Sequence, residues 1–224
     1  MPLQTPPPPP PLLLLNKPIS YLITSGETTP TKEAFTRLFA QVRAAVRARI
    51  SLIQLREKSL SPCALYELTA RAVELTRYSE TRLLVNDRAD IARAAGADGV
   101  HLSTRSLDTA TVRRAFGEDF LIGVSTHSLL EARAARDGGA NFAVFGPIFE
   151  TPAKLAYGAP LGLERLRDAV RDLAPFPLLA LGGINTLDHA RQAMRFGAYG
   201  VAAIRFYSDT ERLPEIVRVI EEIN

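Results

Sequence analysis

The chain has 224 residues, of which 46% are hydrophobic and 23% are charged, an ordinary composition for a globular protein. The formal net charge is only +3 and the sequence has no basic run or stripe, so we predict no nucleic-acid partner. The single cysteine excludes an internal disulfide, and no stretch approaches the ~20 apolar residues of a membrane span. These features predict a cytoplasmic protein with no membrane partner.

Residues 1–17 form a segment of low complexity, in which a run of prolines at positions 6–11 precedes a run of leucines. A proline run favours the polyproline II conformation and cannot pack as the interior of a helix or strand. The segment also lacks the basic n-region of a signal peptide. We therefore predict a disordered arm over residues 1–17 and a single domain over residues 18–224.

From residue 19 onward, short apolar runs alternate with longer amphipathic segments. The predicted strands are 19–24, 51–56, 82–86, 99–102, 121–125, 142–146, 178–181 and 200–204. The predicted helices include 32–48, 62–78, 129–137, 163–173, 187–196 and 213–223. The strand runs lack in/out alternation, which indicates burial on both faces, as in parallel sheets. About eight strand–helix units predict a closed (β/α)₈ TIM barrel, and an open doubly wound sheet is the alternative.

Polar residues interrupt the apolar runs at the carboxyl ends of the predicted strands, where a barrel of this kind carries its active site. They are Gln54, Arg56 and Lys58, then Asn86 and Asp87, then His101 and Ser103, then Ser125 and His127, then Thr151 and Lys154, and finally Gly182, Gly183 and Arg205. Gln54 and Arg56 are two positions apart and therefore share a face of their strand, the barrel interior. A charged interior residue needs a partner or a ligand, so we predict a shared anion site at this rim.

Gly182 and Gly183 follow the seventh predicted strand and admit two interpretations. They are either a tight turn or part of a phosphate site, because glycine lets backbone N–H groups approach an anion. The loops after strands seven and eight commonly hold phosphate in barrels.

The chain has three histidines, and their positions differ in what they predict. Residues 128–131 match a capping box, so Ser128 begins a helix and His127 lies in the loop at the mouth. His127 is either a general acid–base or a loop-packing residue. His101 lies in a buried strand and is predicted to be a core histidine. His189 is predicted to lie at the surface of a helix, with no role.

Six segments together resemble the thiamine phosphate synthase/TenI (thiazole tautomerase) superfamily. They are residues 54–58 (QLREK), 85–88 (VNDR), 97–102 (ADGVHL), 123–128 (GVSTHS), 146–151 (GPIFET) and 181–184 (LGGI). Each segment alone is a weak signal, and their order and spacing carry the resemblance. It covers the chain from residue 19 to the C-terminus and implies a TIM barrel.

The resemblance implies a thiamine phosphate synthase that binds small phosphorylated pyrimidine and thiazole substrates. In such an enzyme, Mg²⁺ and cationic side chains hold hydroxymethylpyrimidine diphosphate, and the thiazole nitrogen captures the pyrimidine cation after pyrophosphate departs. The resemblance implies that the pyrimidine diphosphate is bound by Gln54, Arg56, Lys58, Asn86, Ser125 and Lys154. Asp87 becomes the metal ligand, and Thr151 and Gly183, next to Gly182, contact the thiazole phosphate. Arg56 and Lys154 are the candidate catalytic cations, since a departing diphosphate needs its charge neutralised.

Three positions depart from the synthase pattern. Ser106 stands where the second metal-ligand aspartate is expected, and a hydroxyl is a poorer Mg²⁺ ligand than a carboxylate. Ala153 replaces a threonine. Arg205 replaces a serine and either binds phosphate or blocks the pocket.

These departures keep two further functions open. A thiazole tautomerase moves a proton on a carboxythiazole phosphate without metal, and His127 would do its acid–base work. A non-catalytic paralogue would bind a thiamine precursor without turnover. The retained pyrophosphate-binding set places the synthase ahead of both. The sequence predicts no particular oligomeric state.

Overall fold

The structure, a computed structural model, describes residues 18–151 and 159–223. In this part of the chain eight parallel strands close into a barrel in the order in which they occur along the sequence. The strands are β1 Ile19–Ile23, β2 Leu52–Leu55, β3 Arg82–Asn86, β4 Gly99–Leu102, β5 Leu121–Thr126, β6 Phe142–Phe145, β7 Leu178–Leu181 and β8 Gly200–Ala203. Strand β8 pairs with β1, so the predicted TIM barrel is confirmed and the open-sheet alternative is wrong. The predicted arm over residues 1–17 lies outside the described residues.

Helices connect the strands around the outside of the barrel. They are α1 Lys32–Arg47, α2 Pro62–Thr76, α3 Ala89–Ala95, α4 Thr109–Phe116, α5 Leu129–Asp137, α6 Gly162–Leu173, α7 Leu187–Arg195 and α8 Leu213–Glu222. A short 3₁₀ helix, Arg205–Tyr207, follows β8. Among the described residues, every helix is too short or too polar to cross a membrane.

Helices α3 and α4 were not among the predicted helices. They span seven and eight residues, about two turns each, which is too short for a 3.6-residue pattern to emerge. The N-cap residue of α3, Arg88, also makes no side-chain capping hydrogen bond that would mark the start of the helix.

The strands separate two apolar cores, which explains why their sequences lack alternation. Side chains such as Tyr21, Leu84 and Phe142 fill the barrel interior. Residues at the intervening positions, such as Leu22 and Val85, pack outward against the helices. Because successive side chains of a strand point to opposite faces, polar residues two positions beyond an interior residue face the barrel mouth.

One arginine secures the amino-terminal rim, opposite the strand ends that carry the candidate site. The Arg113 guanidinium donates hydrogen bonds to the carbonyl oxygens of Gly117, Phe120 and Gly139 and to Oδ1 of Asn141. The Arg113 side chain is 11% exposed, and its hydrogen bonds to Phe120, Gly139 and Asn141 are part-buried, whereas the bond to Gly117 is exposed. Arg113 therefore joins the turns that lead into β5 and β6.

Candidate functional site

The carboxyl ends of β2 to β5 bring four predicted polar residues into the upper barrel interior. Gln54 and Asn86 lie two positions beyond the interior leucines Leu52 and Leu84. Asn86 is level with His101 in the strand register. The strand pattern thus places these side chains, with Ser125 of β5, on one wall of the mouth.

A chain of amide hydrogen bonds fixes the orientation of Gln54. Its Nε2 donates to Oδ1 of Asn86 at 2.8 Å, and Nδ2 of Asn86 donates to Oδ2 of Asp87 at 2.7 Å. Gln54 is 2% exposed. Its Oε1 is a buried acceptor with no hydrogen-bond partner among the described residues. A buried acceptor without a donor is costly, so this atom marks a position for a ligand donor.

Asp87 lies at the turn after β3, in the left-handed backbone region with φ of 59°. Its Oδ1 accepts hydrogen bonds from the backbone N–H of Ser103, at 3.0 Å, and from the hydroxyl of Ser106. Burial raises the pKa of the Asp87 carboxyl, but hydrogen bonds from Ser106, Ser103 and Asn86 outweigh burial and hold that pKa below its ordinary value. The predicted metal residue is therefore a carboxylate at neutral pH.

Ser106, at the position of the expected second metal ligand, donates its hydroxyl to Asp87. Within residues 18–151 and 159–223, no group of three or more His, Cys, Asp or Glu side chains is arranged to hold a metal ion. A cation here would meet one protein carboxylate, that of Asp87.

The loop after β1 and the end of β2 are joined by a residue that the sequence analysis did not single out. Glu57 is 3% exposed and accepts hydrogen bonds from the Thr24 hydroxyl and from the backbone N–H of Thr28. The guanidinium of Arg56, which is half-buried, donates to the carbonyl oxygen of Ser25 at 3.3 Å. Lys58 follows on the exposed side. In the sequence, the available signal for this anchor was a glutamate between two cationic residues, Arg56 and Lys58.

A cavity of about 480 Å³ opens between the loop after β1, helix α1 and the segment that follows β8. Thr24, Glu57 and Ile204 belong to its lining, which links the cavity to the rim.

His101 is a core histidine, as predicted, and it also reaches the mouth. It is 2% exposed, and its ring nitrogens lie 3.1 Å from the Tyr21 hydroxyl and 2.9 Å from Oγ of Ser125. Burial lowers its pKa to about 4 against a smaller opposing effect of the Asp87 charge. The imidazole is therefore neutral at physiological pH.

His127 lies in the loop after β5, as predicted. Ser128 caps α5 and accepts from the backbone N–H of Glu131, whose carboxylate in turn accepts from the backbone N–H of His127. Nδ1 of His127 is 2.5 Å from the carbonyl oxygen of Gly146. A carbonyl oxygen only accepts, so Nδ1 carries the proton and Nε2 of the neutral ring has a free lone pair.

The loops after β6 and β7 are packed tightly together at Gly182 and Gly183. Both glycines have positive φ, 93° and 70°. A Cβ at Gly183 would lie 2.5 Å from the carbonyl oxygen of Phe149, and one at Gly182 would lie 2.5 Å from Cβ of Pro147. The backbone N–H of Phe149 donates to the carbonyl of Gly182 at 3.0 Å. Only glycine fits at these positions, because an added Cβ would overlap atoms of the neighbouring loop after β6.

His189 lies in helix α7, as predicted, and is partly exposed, but it also has a structural role that the sequence did not indicate. Its ring stacks on Phe149 with centroids 4.4 Å apart, and its Nδ1 lies 3.0 Å from the carbonyl oxygen of Gly183. His189 thereby joins the first turn of α7 to both loops. Its position three residues after the N-cap Thr186 was the only local signal.

The remaining predicted residues lie on the far side of the rim or beyond the described residues. Thr151 is half-buried in the loop after β6. Lys154 and Ala153 lie outside the described residues. Arg205 is exposed at the start of the 3₁₀ helix, where its carbonyl accepts from the Ser208 hydroxyl. The two interpretations of Arg205, that it binds phosphate or that it blocks the pocket, both stay predictions.

Comparisons with known proteins show the family and the fold of the chain. Residues 20–206 match the family described as thiamine monophosphate synthase. The thiamine-phosphate synthase of Chlorobium luteolum is 37% identical over 93% of this chain and 93% of its own length. That of Chlorobium limicola is 41% identical over 72% of this chain and 76% of its own length. The thiamine phosphate pyrophosphorylase of Pyrococcus furiosus superposes with a TM-score of 0.75 at 32% identity, covering 92% of this chain and 98% of that structure.

Proposed function

Because this chain belongs to the thiamine monophosphate synthase family, we propose that its barrel mouth joins hydroxymethylpyrimidine diphosphate to thiazole phosphate and releases pyrophosphate. The chain is an enzyme of the transferase type, and its relatives are named thiamine-phosphate synthases. What the proposal adds is the assignment of the individual steps to residues of the rim.

The buried, unpaired Oε1 of Gln54 carries the proposal. One amide hydrogen of Gln54 is donated to Asn86, which fixes the orientation of the amide and leaves Oε1, an acceptor, unpaired. An aminopyrimidine offers a donor in its exocyclic amino group. Binding of that group would satisfy the one buried side-chain acceptor that is unpaired among residues 18–151 and 159–223, which favours this class of substrate.

Arg56, Lys58 and Lys154 supply the positive charge for the diphosphate. Arg56 is held at the mouth by its bond to the loop after β1, and Lys58 lies two residues further on. Cations near a departing diphosphate stabilise the charge that develops on it and lower the barrier to its departure. Lys154, assigned by resemblance, would approach from the loop after β6.

Asp87 fits the requirement of a Mg²⁺ site, since Mg²⁺ commonly uses one or two carboxylates together with substrate phosphates and water. Its carboxylate is ionised, and Ser106 and Asn86 hold it in place through hydrogen bonds. When bound, Mg²⁺ would neutralise part of the diphosphate charge. The backbone of Asp87, with its positive φ, turns this carboxylate toward the ends of β3 and β4.

The chemistry requires no proton transfer in its central steps. The bond between the pyrimidine methylene carbon and the diphosphate oxygen breaks, and both electrons leave with the oxygen. The thiazole ring nitrogen then donates its lone pair to that carbon. We assign the thiazole phosphate to the backbone at Gly182 and Gly183 and to Thr151, beside the start of α7, because helix amino termini bind phosphate.

The test is an assay of the purified chain with both substrates and Mg²⁺, in which thiamine phosphate is read as its fluorescent oxidation product. We expect product at an enzymatic rate and its loss with EDTA. Lys58→Ala should lower kcat/KM about 10-fold to 100-fold, the effect of one charged hydrogen bond. Lys32→Ala, at the exposed start of α1, is the matched control. A folded chain that makes no product while a known synthase works in parallel would contradict the proposal.

Ser106→Asp tests the assignment of Asp87 to the metal. The new carboxylate would face Asp87, where Ser106 now donates a hydrogen bond, and two adjacent carboxylates require a cation. We expect Mg²⁺ to raise the melting temperature of this variant more than that of the wild type. Equal Mg²⁺ effects on both proteins would place the ion elsewhere.

Thiazole tautomerisation is a second candidate function, and the geometry of His127 favours it. The proton on Nδ1 is held by the Gly146 carbonyl, so Nε2 is available as a base at the mouth. Proton transfer on a carboxythiazole phosphate that is insensitive to EDTA and is abolished by His127→Asn would support this function. Lys32→Ala, at the exposed start of α1, is again the control for a change outside the proposed chemistry.

A further inference from the structure

A buried line of three side chains crosses the upper barrel interior from β1 to β5. The Tyr21 hydroxyl lies 3.1 Å from Nδ1 of His101, and Nε2 of His101 lies 2.9 Å from Oγ of Ser125. Tyr21 is fully buried and His101 is 2% exposed, whereas Ser125 is half-buried at the mouth. Gly123 makes room for the imidazole, since a Cβ there would lie 2.8 Å from Nδ1.

The direction of the hydrogen bonds follows from the Tyr21 hydroxyl. Its partner within the described residues is Nδ1 of His101, so its proton is satisfied only if it donates to that nitrogen. A neutral imidazole carries one proton, which must then be on Nε2 and be donated to Ser125. The reverse direction would leave the phenolic proton buried without an acceptor, which is costly.

We propose that Tyr21 and His101 are positioning residues that make Ser125 a hydrogen-bond donor toward the ligand in the barrel mouth. Ser125 accepts from His101 on its inner side and keeps its own proton for the mouth. The site then selects an acceptor atom of the ligand, either a pyrimidine ring nitrogen or a diphosphate oxygen. The direction of these hydrogen bonds does not depend on the reaction, whereas the identity of the ligand rests on the proposed function.

The direction can be measured in the ligand-free protein. In ¹⁵N-labelled chain, two-bond nitrogen–proton correlations distinguish the two neutral tautomers of each histidine. His127→Asn and His189→Asn remove the other two signals in turn and so assign His101 without changing it. We expect His101 to be protonated at Nε2. Protonation at Nδ1 would overturn the proposal, whatever the protein catalyses.

The consequence for binding is tested by a double-mutant cycle between Tyr21→Phe and Ser125→Ala. Each change should weaken binding of hydroxymethylpyrimidine diphosphate about 3-fold to 10-fold, as expected for one neutral hydrogen bond. If Tyr21 acts through Ser125, the double variant will bind no more weakly than Ser125→Ala alone. A merely structural role of Tyr21 would instead add its loss in both backgrounds, which would contradict the proposal.

Tyr207→Phe is the matched control, because Tyr207 is also fully buried but donates to the carbonyl of Val201. It should leave the His101 tautomer and the affinity unchanged.

Calorimetry with pyrophosphate alone identifies the acceptor. A loss of pyrophosphate affinity in Ser125→Ala assigns a diphosphate oxygen, and a loss confined to the full substrate assigns the pyrimidine nitrogen. If Ser125→Ala bound both ligands as tightly as the wild type, the proposed role of Ser125 would be wrong.

Discussion

At the scale of single residues, the mouth of the barrel contains side chains that bond the protein through one polar atom and present another to the ligand. Gln54 donates through Nε2 and leaves Oε1 unpaired. His127 donates through Nδ1 and leaves Nε2 accessible as a lone pair. In both, the internal bond fixes which polar atom is left for the proposed ligand, so the orientation of the side chain is set by the protein itself.

Gln54→Leu tests this at the residue whose free acceptor carries the proposed function. The variant keeps roughly the side-chain volume but loses Oε1 and the Nε2 donor to Asn86, so we expect KM for hydroxymethylpyrimidine diphosphate to rise about 3-fold to 10-fold. Steady-state kinetics at saturating thiazole phosphate measures the effect. Gln192→Leu is the control, since that amide donates to Asp188 within α7. An unchanged KM in Gln54→Leu would remove Gln54 from the binding site.

At the scale of elements, the rim consists of loops held to one another by backbone contacts and buried anchors. Glu57 holds the loop after β1 against β2. His189 holds the loops after β6 and β7 together through Phe149 and Gly183. Such contacts allow connecting loops to present ligand-binding groups in a defined position on a rigid barrel.

Gly183→Ala should separate the two loops of the proposed phosphate site. The added Cβ would meet the Phe149 carbonyl oxygen at 2.5 Å, and backbone cannot yield as a flexible side chain can. We expect at least about a 10-fold rise in KM for thiazole phosphate, the loss of roughly one charged hydrogen bond.

Gly117→Ala is the control for that change. Gly117 has a similar φ of 81°, but no heavy atom lies within 4 Å of its added Cβ. Because its ψ is 176°, the alanine carries only the strain of a backbone region that is essentially confined to glycine, roughly 1–3 kcal/mol, with no effect on KM. Similar KM values for both variants would show that contact between the loops is unimportant for binding.

Arg113→Met should destabilise the amino-terminal rim and leave the chemistry at the other rim unchanged. The change removes the guanidinium that donates to the part-buried carbonyl oxygens of Phe120 and Gly139, and we expect the free energy of unfolding to fall by about 3 kcal/mol. Urea unfolding measures this. Arg114→Met, at an exposed neighbouring position, should change stability by less than about 0.5 kcal/mol. A loss of kcat at temperatures where Arg113→Met is folded would contradict the separation of the two rims.

At the scale of the whole molecule, closure of the barrel by the β1–β8 pair encloses a polar group that the fold must keep neutral. Burial lowers the pKa of His101 from 6.5 to about 4. Between these two pH values the unfolded chain binds a proton that the folded chain does not. This contribution to stability is therefore complete above pH 6.5 and declines on acidification toward pH 4.

We expect the His101 contribution to fall by about 1.4 kcal/mol per pH unit within that window and to level off below it. The measurement is urea unfolding at several pH values for the wild type and for His101→Asn, whose difference isolates this group. Tyr207→Phe, which removes another buried hydroxyl, should lower stability equally at each pH. Parallel pH profiles for wild type and His101→Asn would show that His101 titrates normally in the folded chain.

The sequence by itself determined the architecture and most of the rim. Apolar runs without alternation required strands buried on both faces, and their number and spacing predicted the TIM barrel. Gln54, Asn86, Ser125 and His127 were located because they interrupt or follow these runs, and the six motifs indicated the family. These are local signals, since a strand's period of two residues already states which side chains share a face.

Only the tertiary structure decided which donor meets which acceptor. Tyr21 and His101 are 80 positions apart, and Gln54 and Asn86 are 32 apart, so no local pattern links them. Glu57, His189 and the short helices α3 and α4 were missed for the same reason, because their roles or stability come from contacts with distant segments. Periodicity specifies the face on which a residue lies, but the direction of a hydrogen bond is set only when the closed barrel brings all its possible partners together.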